Sequence, residues 1–147
     1  MNKNKGFSLI EILVVVTIIG LLTTTAVVTY SVFMKQSRDA KRKADLSQLS
    51  AALEMYRSNN DTYPPILTSL TAPTIYIQSV PADPKNPTYT YYYNPVDSAG
   101  GVCDGTASDL CVNYTLGAYL ETTSTCPVVI SCTGAPCNYC LGPYGKK

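Results

Sequence analysis

From Phe7 to Met34 the chain is almost unbroken Ile, Leu, Val, Ala, Gly, Ser and Thr, with Glu11 and Tyr30 the ionisable groups of note. As an α-helix this run of about 28 residues is roughly 42 Å long, against a bilayer hydrocarbon core of about 30 Å, so it predicts a membrane-spanning helix. The pattern then changes without a Pro or Gly to interrupt it. Leu46, Leu49, Leu53 and Tyr56 recur at spacings of three and four with charged residues between them, which predicts an amphipathic helix over 35–60. Its helical pattern runs to about Arg57, and Asp39 with Lys43 supplies an i,i+4 ion pair on its surface. Asn59-Asn60-Asp61 followed by Pro64-Pro65 stops it.

Beyond Pro65 the chain is punctuated by Pro73, Pro81, Pro84, Pro87 and Pro95, and the hydrophobic period shortens. Segments 88–93 (TYTYYY), 112–121 (VNYTLGAYLE) and 127–131 (PVVIS) are rich in β-branched and aromatic residues and predict three short antiparallel strands. The long connection between the first two, NPVDSAGGVCDGTASDLC, has the length of a surface loop with a specific feature. No internal repeat is present. The expected fold is α+β: a long N-terminal helix packed on a small antiparallel sheet, with a head domain over 61–147.

Composition narrows the possibilities. Charged residues are 14% of the chain, well below the roughly 25% of a soluble domain, in keeping with a membrane segment. A formal net charge of +1 argues against a partner held by phosphate neutralisation, so no nucleic acid is required. The chain has no histidine, which excludes His-based catalysis and His metal sites. All six cysteines, Cys103, Cys111, Cys126, Cys132, Cys137 and Cys140, lie near the C-terminus, where an even number in a short stretch reads as a disulfide framework outside the cytosol. A secretory signal peptide explains the N-terminus less well than a retained helix, because the apolar run is too long and TTTAVVTYS offers no clear cleavage site.

The stretch KGFSLIE, followed directly by the apolar helix, resembles the signal of type IV prepilins, shared by type IV pilins and the pseudopilins of type II secretion. The resemblance implies a leader of residues 1–6 cut after Gly6 by a prepilin peptidase, N-methylation of the new terminus at Phe7, and an assembly role for Glu11 at the fifth mature position. Residues 7–34 would then be both membrane anchor and filament core. Gly20 matches a glycine common in these helices, whereas the proline many pilins carry would fall at Val28 and is absent. MYRSNNDTYP and YIQSVPADPKNP resemble the helix end and the Y-x-x-x-x-P-x-D-P stretch of the same family, so the likeness covers about residues 1–95. The cysteine-rich remainder departs from major pseudopilins and favours a pilin, or an unusual pseudopilin.

Several features admit a second reading. Tyr89, Tyr91, Tyr92 and Tyr93 suggest stacking on nucleic acid, but strand packing is the ordinary role of such a cluster. Major pseudopilins bind calcium in a loop comparable to the acidic one here, which makes Asp97, Asp104 and Asp109 candidate oxygen ligands; a solvated acidic loop is the default. Cys137-Asn-Tyr-Cys140 is a C-x-x-C, yet no βαβ context or following His supports a thiol oxidoreductase or haem attachment. Among the 15 connectivities that six cysteines allow, Cys103 with Cys111 is the first choice because both flank the acidic loop. The five basic residues between Lys35 and Lys43 run against the positive-inside rule if the head lies outside.

The reading is a structural, non-enzymatic subunit with no cofactor. It is an inner-membrane precursor with a single pass and an external head, which polymerises through its N-terminal helix into a homo-oligomeric filament. Its partners are a prepilin peptidase that also methylates and an inner-membrane assembly machinery. A type IV pilus is the leading filament and a type II secretion pseudopilus the alternative; a membrane-anchored thiol oxidoreductase using Cys137 and Cys140 is the rival of another class.

Overall fold

The computed structural model describes residues 6–122 and 124–146, apart from the side chain of Val28. Two compact units divide the chain, Met1–Gln36 and Ser37–Lys147. Helix α1 (Leu9–Asn60) contributes to both.

In the first unit the described side chains of α1 are exposed all round the helix, apolar on every face. That is the distribution of a helix whose solvent is hydrocarbon. The threonines do not contradict it, because each hydroxyl is satisfied within the helix. Thr17, Thr23, Thr24, Thr25 and Thr29 donate to carbonyls three or four residues back, at 2.7–3.0 Å.

The second unit is a helix on a sheet. A 3-10 turn (Leu67–Leu70) follows α1, then strands β1 (Tyr92–Val96), β2 (Asn113–Ala118), β3 (Ser131–Cys132), β4 (Ala135–Pro136), β5 (Tyr139–Gly142) and β6 (Gly145–Lys146). The main sheet is antiparallel throughout in the order β1-β2-β5-β6, while β3 and β4 pair as a separate hairpin. Leu46, Leu49 and Leu53 of α1 are fully buried against Tyr63, Leu70, Ile77, Tyr114, Leu116 and Ala118. At about 25 cal/mol per Å² of apolar surface, each such leucine contributes roughly 1.5–3 kcal/mol.

Helix α1 stops where Asp61 enters the left-handed region (φ 59) and its N–H closes on the Arg57 carbonyl at 2.8 Å. The helix thus ends at Asn60, the bound of the expected 35–60 segment and one turn past the last apolar-periodic stretch near Arg57. Two expected strand segments differ, and two strands of the main sheet were not expected. The 88–93 strand begins only at Tyr92, because the backbone turns between Lys85 and Tyr89. The 127–131 segment is not a strand of the main sheet; only Ser131–Cys132 is extended, in the small hairpin. The third and fourth sheet strands are β5 and β6, which glycines and a proline disguise in the sequence.

Candidate functional site

Three groups of residues carry functional weight. At the N-terminus, Phe7 is 85% exposed and stands with Gly6 in non-helical backbone just before α1, an accessible peptide bond. The leader residues before Gly6 lie outside the described residues. Ser8 occupies the N-cap position, and its carbonyl accepts from Glu11 N–H (3.1 Å) and Ile12 N–H (3.3 Å). In return the Ser8 N–H donates to Glu11 Oε2 at 2.8 Å. The carboxylate half of a capping box is thus in place, with the acid at N3 where the helix dipole favours negative charge. Glu11 is exposed on a surface otherwise formed by Phe7, Ile10, Ile12, Val14 and Val15.

The second group ties α1 to the head. Arg42 is fully buried. Its Nε and Nη2 donate to Asp83 Oδ2 and Oδ1 at 2.7 and 3.0 Å, a bidentate fork, and Nη1 reaches Asp39 Oδ1 at 2.8 Å and Glu121 Oε1 at 3.1 Å. Glu121 also receives Arg38 through Nε (2.6 Å) and Nη2 (2.8 Å) and the Lys85 ammonium (2.8 Å). Asp39 in turn accepts the backbone N–H of Glu121 and of Thr122 and the Thr122 hydroxyl. Three cations meet three carboxylates, and no described buried side-chain polar atom is left without a partner. Hydrogen bonding from Arg38, with Lys85 and Arg42 adding to it, holds the Glu121 carboxyl well below the usual range. Burial pushes Asp39 up, but the hydrogen bonds from Thr122, the Glu121 backbone and Arg42 outweigh it and leave its carboxyl lowered.

This anchor was missed in the sequence, although a signal was there. The stripe of Leu46, Leu49 and Leu53 extends backwards in the same phase through Arg42 to Asp39, so the buried face begins with charge. The expected Asp39–Lys43 pair is not formed; Asp39 pairs with Arg42, and the Lys43 ammonium lies 5.8 Å from the centroid of the Tyr139 ring. The P-x-D-P stretch also acquires a purpose, since its Asp83 is the main acceptor of Arg42.

The third group is the cysteines, joined as Cys103–Cys111, Cys126–Cys140 and Cys132–Cys137. The two cysteines of the C-x-x-C therefore enter different bridges, and no free thiol remains among the described residues. That removes the redox pair on which a thiol oxidoreductase would depend. The tyrosines pack as structural residues: Tyr91 donates to Asp45 (2.6 Å), Tyr93 to the Pro64 carbonyl (2.6 Å), and Tyr89 faces Tyr119 with centroids 4.7 Å apart.

The three acids of the loop, Asp97, Asp104 and Asp109, each hold a local turn. Asp97 Oδ1 accepts from Ala99 and Gly101 N–H, Asp104 Oδ1 from Thr106 N–H, and Asp109 Oδ2 from Asp104 N–H, so each acid caps a local turn. No group of three metal-ligating side chains converges among the described residues. The disulfide Cys103–Cys111 closes this loop, and the Cys111 carbonyl and N–H bond to Tyr63 N–H and Thr62 Oγ1 at 2.9 Å each.

With this geometry in hand, comparison with known proteins is informative. The prokaryotic N-terminal methylation motif matches residues 1–27. The type II secretion system core protein G of Escherichia coli K12 is 36% identical over 98 residues, 56% of this chain and 68% of that protein. Its counterpart in Pseudomonas aeruginosa is 33% identical over 105 residues, 61% of this chain and 74% of that protein. The type IV major pilin PilA of Myxococcus xanthus is 36% identical over 61 residues, 42% of this chain and 28% of that protein. No solved structure matches. A methylation-type N-terminus, a 52-residue helix on an antiparallel sheet and this extent of shared sequence place the chain in the pilin and pseudopilin family to which core protein G belongs, as a structural subunit rather than an enzyme.

Proposed function

We propose that the chain is the pseudopilin of a type II secretion filament: an inner-membrane precursor cut after Gly6, methylated on Phe7, and polymerised through α1 by an inner-membrane assembly machinery. The observation that carries this reading over a type IV pilus is the reach of the similarity. The matches to core protein G cover 56% and 61% of this chain, more than leader and helix together, whereas the match to the pilin covers 42%. The pilus remains the second reading, favoured by the three disulfides of the head.

The N-terminal geometry supports the assembly step. In the single chain Glu11 is satisfied by the Ser8 N–H, so the membrane does not receive a bare acid. Cleavage after Gly6 creates a cationic amine on Phe7, and an amine from a neighbouring subunit competes for the same carboxylate. At an effective dielectric constant near 20 a pair about 4 Å apart gains about 4 kcal/mol before desolvation. Glu11 then sets the register between helices. The basic run after the membrane segment fits an external head, because Arg38 and Arg42 are consumed by acids of the folded domain.

The test is mass spectrometry of the N-terminal peptide from the native host, joined to the phenotype of a deletion. N-methylated Phe7, with exported proteins retained in the periplasm of the deletion strain, is expected. Loss of surface pili with export intact would favour the pilus, and an intact Met1 on protein stable in the membrane would sink both. Glu11→Ala is expected to insert normally and to form no filaments.

A further inference from the structure

Along the chain the cysteines follow one another as Cys103, Cys111, Cys126, Cys132, Cys137 and Cys140. Cys103 pairs with the next in line, Cys111. The other four are nested: Cys126–Cys140, with sequence separation 14, encloses Cys132–Cys137, with separation 5. Joining neighbours in the order in which they leave the membrane would instead give Cys126–Cys132 and Cys137–Cys140. Neither is a bridge of the folded head.

Loop closure favours the wrong partner for Cys126. Cys132 lies less than half as far along the chain as Cys140, and closure falling as the three-halves power of length makes the shorter ring about fourfold more frequent. Nothing local corrects that choice. Strands β3 and β4, which bring Cys132 to Cys137, are two residues each, and an isolated hairpin of that size does not hold in water. Both native bridges depend on β2 instead. Cys140 takes its place only when β5 pairs with β2, where it stands opposite Gly117. The inner bridge packs on the same glycine, since a Cβ there would lie 2.9 Å from Cys137 Sγ. Asn138 fastens the connection between them, its N–H donating to the Ala118 carbonyl at 3.1 Å and its side chain bonding both ways to the Leu120 backbone. These contacts need the last cysteine-bearing strand, so they arise after the earlier thiols have met the oxidant. Cys132, Cys137 and Cys140 are buried once they form.

We propose that the head is a substrate of a thiol–disulfide isomerase on the outer side of the inner membrane, which converts Cys126–Cys132 and Cys137–Cys140 into the nested pair. A dithiol oxidase of that compartment makes the first bridges, its own disulfide being reduced to a dithiol for each. The isomerase thiolate then attacks Cys132 Sγ and releases Cys126 as a thiolate. Cys126 attacks Cys140 Sγ and releases Cys137, and Cys137 attacks Cys132 Sγ and returns the isomerase thiolate. Two disulfides become two disulfides, with no net electron transfer. The inference rests on the reading of an inner-membrane precursor with an external head, which sets the order of emergence, and adds the enzyme class that acts on the head before assembly.

The test compares the full chain made in its native host with the same chain made in that host without its thiol–disulfide isomerase. Thiols are blocked at harvest, and the bridges are mapped by partial reduction, stepwise alkylation and mass spectrometry. Without the isomerase the share of chains carrying Cys126–Cys140 and Cys132–Cys137 should fall about fourfold, the closure ratio above, with Cys126–Cys132 and Cys137–Cys140 in their place. Cys103–Cys111, already a pair of neighbours, should form equally in both strains. Removing the nesting should remove the requirement: Cys132→Ser with Cys137→Ser leaves Cys126–Cys140 as neighbours, and Cys126→Ser with Cys140→Ser leaves Cys132–Cys137. Each remaining bridge should then form equally in both strains. An equal share of the nested pair in the two strains would overturn the isomerase step and leave the filament reading standing. Six free thiols in the native host would overturn the external head and the inference with it.

Discussion

Replacing Arg42 with alanine tests whether the buried charge cluster is what fastens the long helix to the head. The substitution removes the fork to Asp83 and the bonds to Asp39 and Glu121, and leaves the buried Asp39 and Asp83 without their guanidinium. Breaking a buried pair by deleting one partner costs about 3–5 kcal/mol. For a domain near 110 residues, unfolding entropy of about 2.1 cal/mol/K per residue converts that to a fall in Tm of roughly 13–22 °C. Near-UV circular dichroism reports the transition, since the chain has 12 tyrosines and no tryptophan to mask them. Full-length protein in detergent keeps the helix intact during the measurement. Lys85→Ala is the control: its side chain is 40% exposed, it contacts Glu121 alone, and its loss should cost less than about 1 kcal/mol. Arg42→Lys should recover only part of the stability, because an ammonium cannot reproduce the bidentate fork. A melting curve for Arg42→Ala within a few degrees of the parent would refute the anchor.

The same cluster makes the head acid-sensitive. Glu121 and Asp39 have lowered folded-state values, so their stabilisation is present above the unfolded values near 4.3 and 3.9 and is lost as pH falls through the folded ones; urea midpoints should be flat from pH 7 to about 5 and drop below about 4. At the alkaline end burial raises Tyr91 and Tyr93 and pushes Tyr114 up to about 12, so stability should decline as pH rises above about 10, where unfolded tyrosines ionise. Replacing Cys126 and Cys140 by serine opens a loop with sequence separation 14, which should cost about 3 kcal/mol and appear as a lower denaturant midpoint, with a steeper slope because the unfolded chain loses a cross-link. Gly117→Ala would place a Cβ 2.7 Å from Ile130 Cδ1 and 2.9 Å from Cys137 Sγ, both behind disulfide-closed backbone, and should destabilise by about 1–3 kcal/mol; a neutral result would mean that the hairpin yields.

The sequence by itself determined whatever depends on neighbours along the chain. Period and composition over Phe7–Met34 required a helix that lives in hydrocarbon, and Leu46, Leu49 and Leu53 required one buried face beyond it. The spacing of Gly6, Phe7 and Glu11 marked the methylation-type motif, and Ser8 with Glu11, three residues apart, forms the carboxylate half of a capping box. The tertiary structure decided what depends on distance in space. Arg42 meets Asp83 and Glu121 across separations of 41 and 79 residues, which no local pattern encodes. The two cysteines of one C-x-x-C part into separate bridges because Tyr139 and Cys140 belong to a sheet strand while Cys137 faces the small hairpin. Strands β5 and β6 were hidden for the same reason: with Gly142, Pro143 and Gly145 among so few residues their intrinsic preference is weak, and β5 is held extended by pairing with β2 and by the Cys126–Cys140 bridge while β6 is held by pairing with β5. Local chemistry fixed the apolar N-terminal helix, and long-range pairing of charge and sulfur fixed the fold of the head.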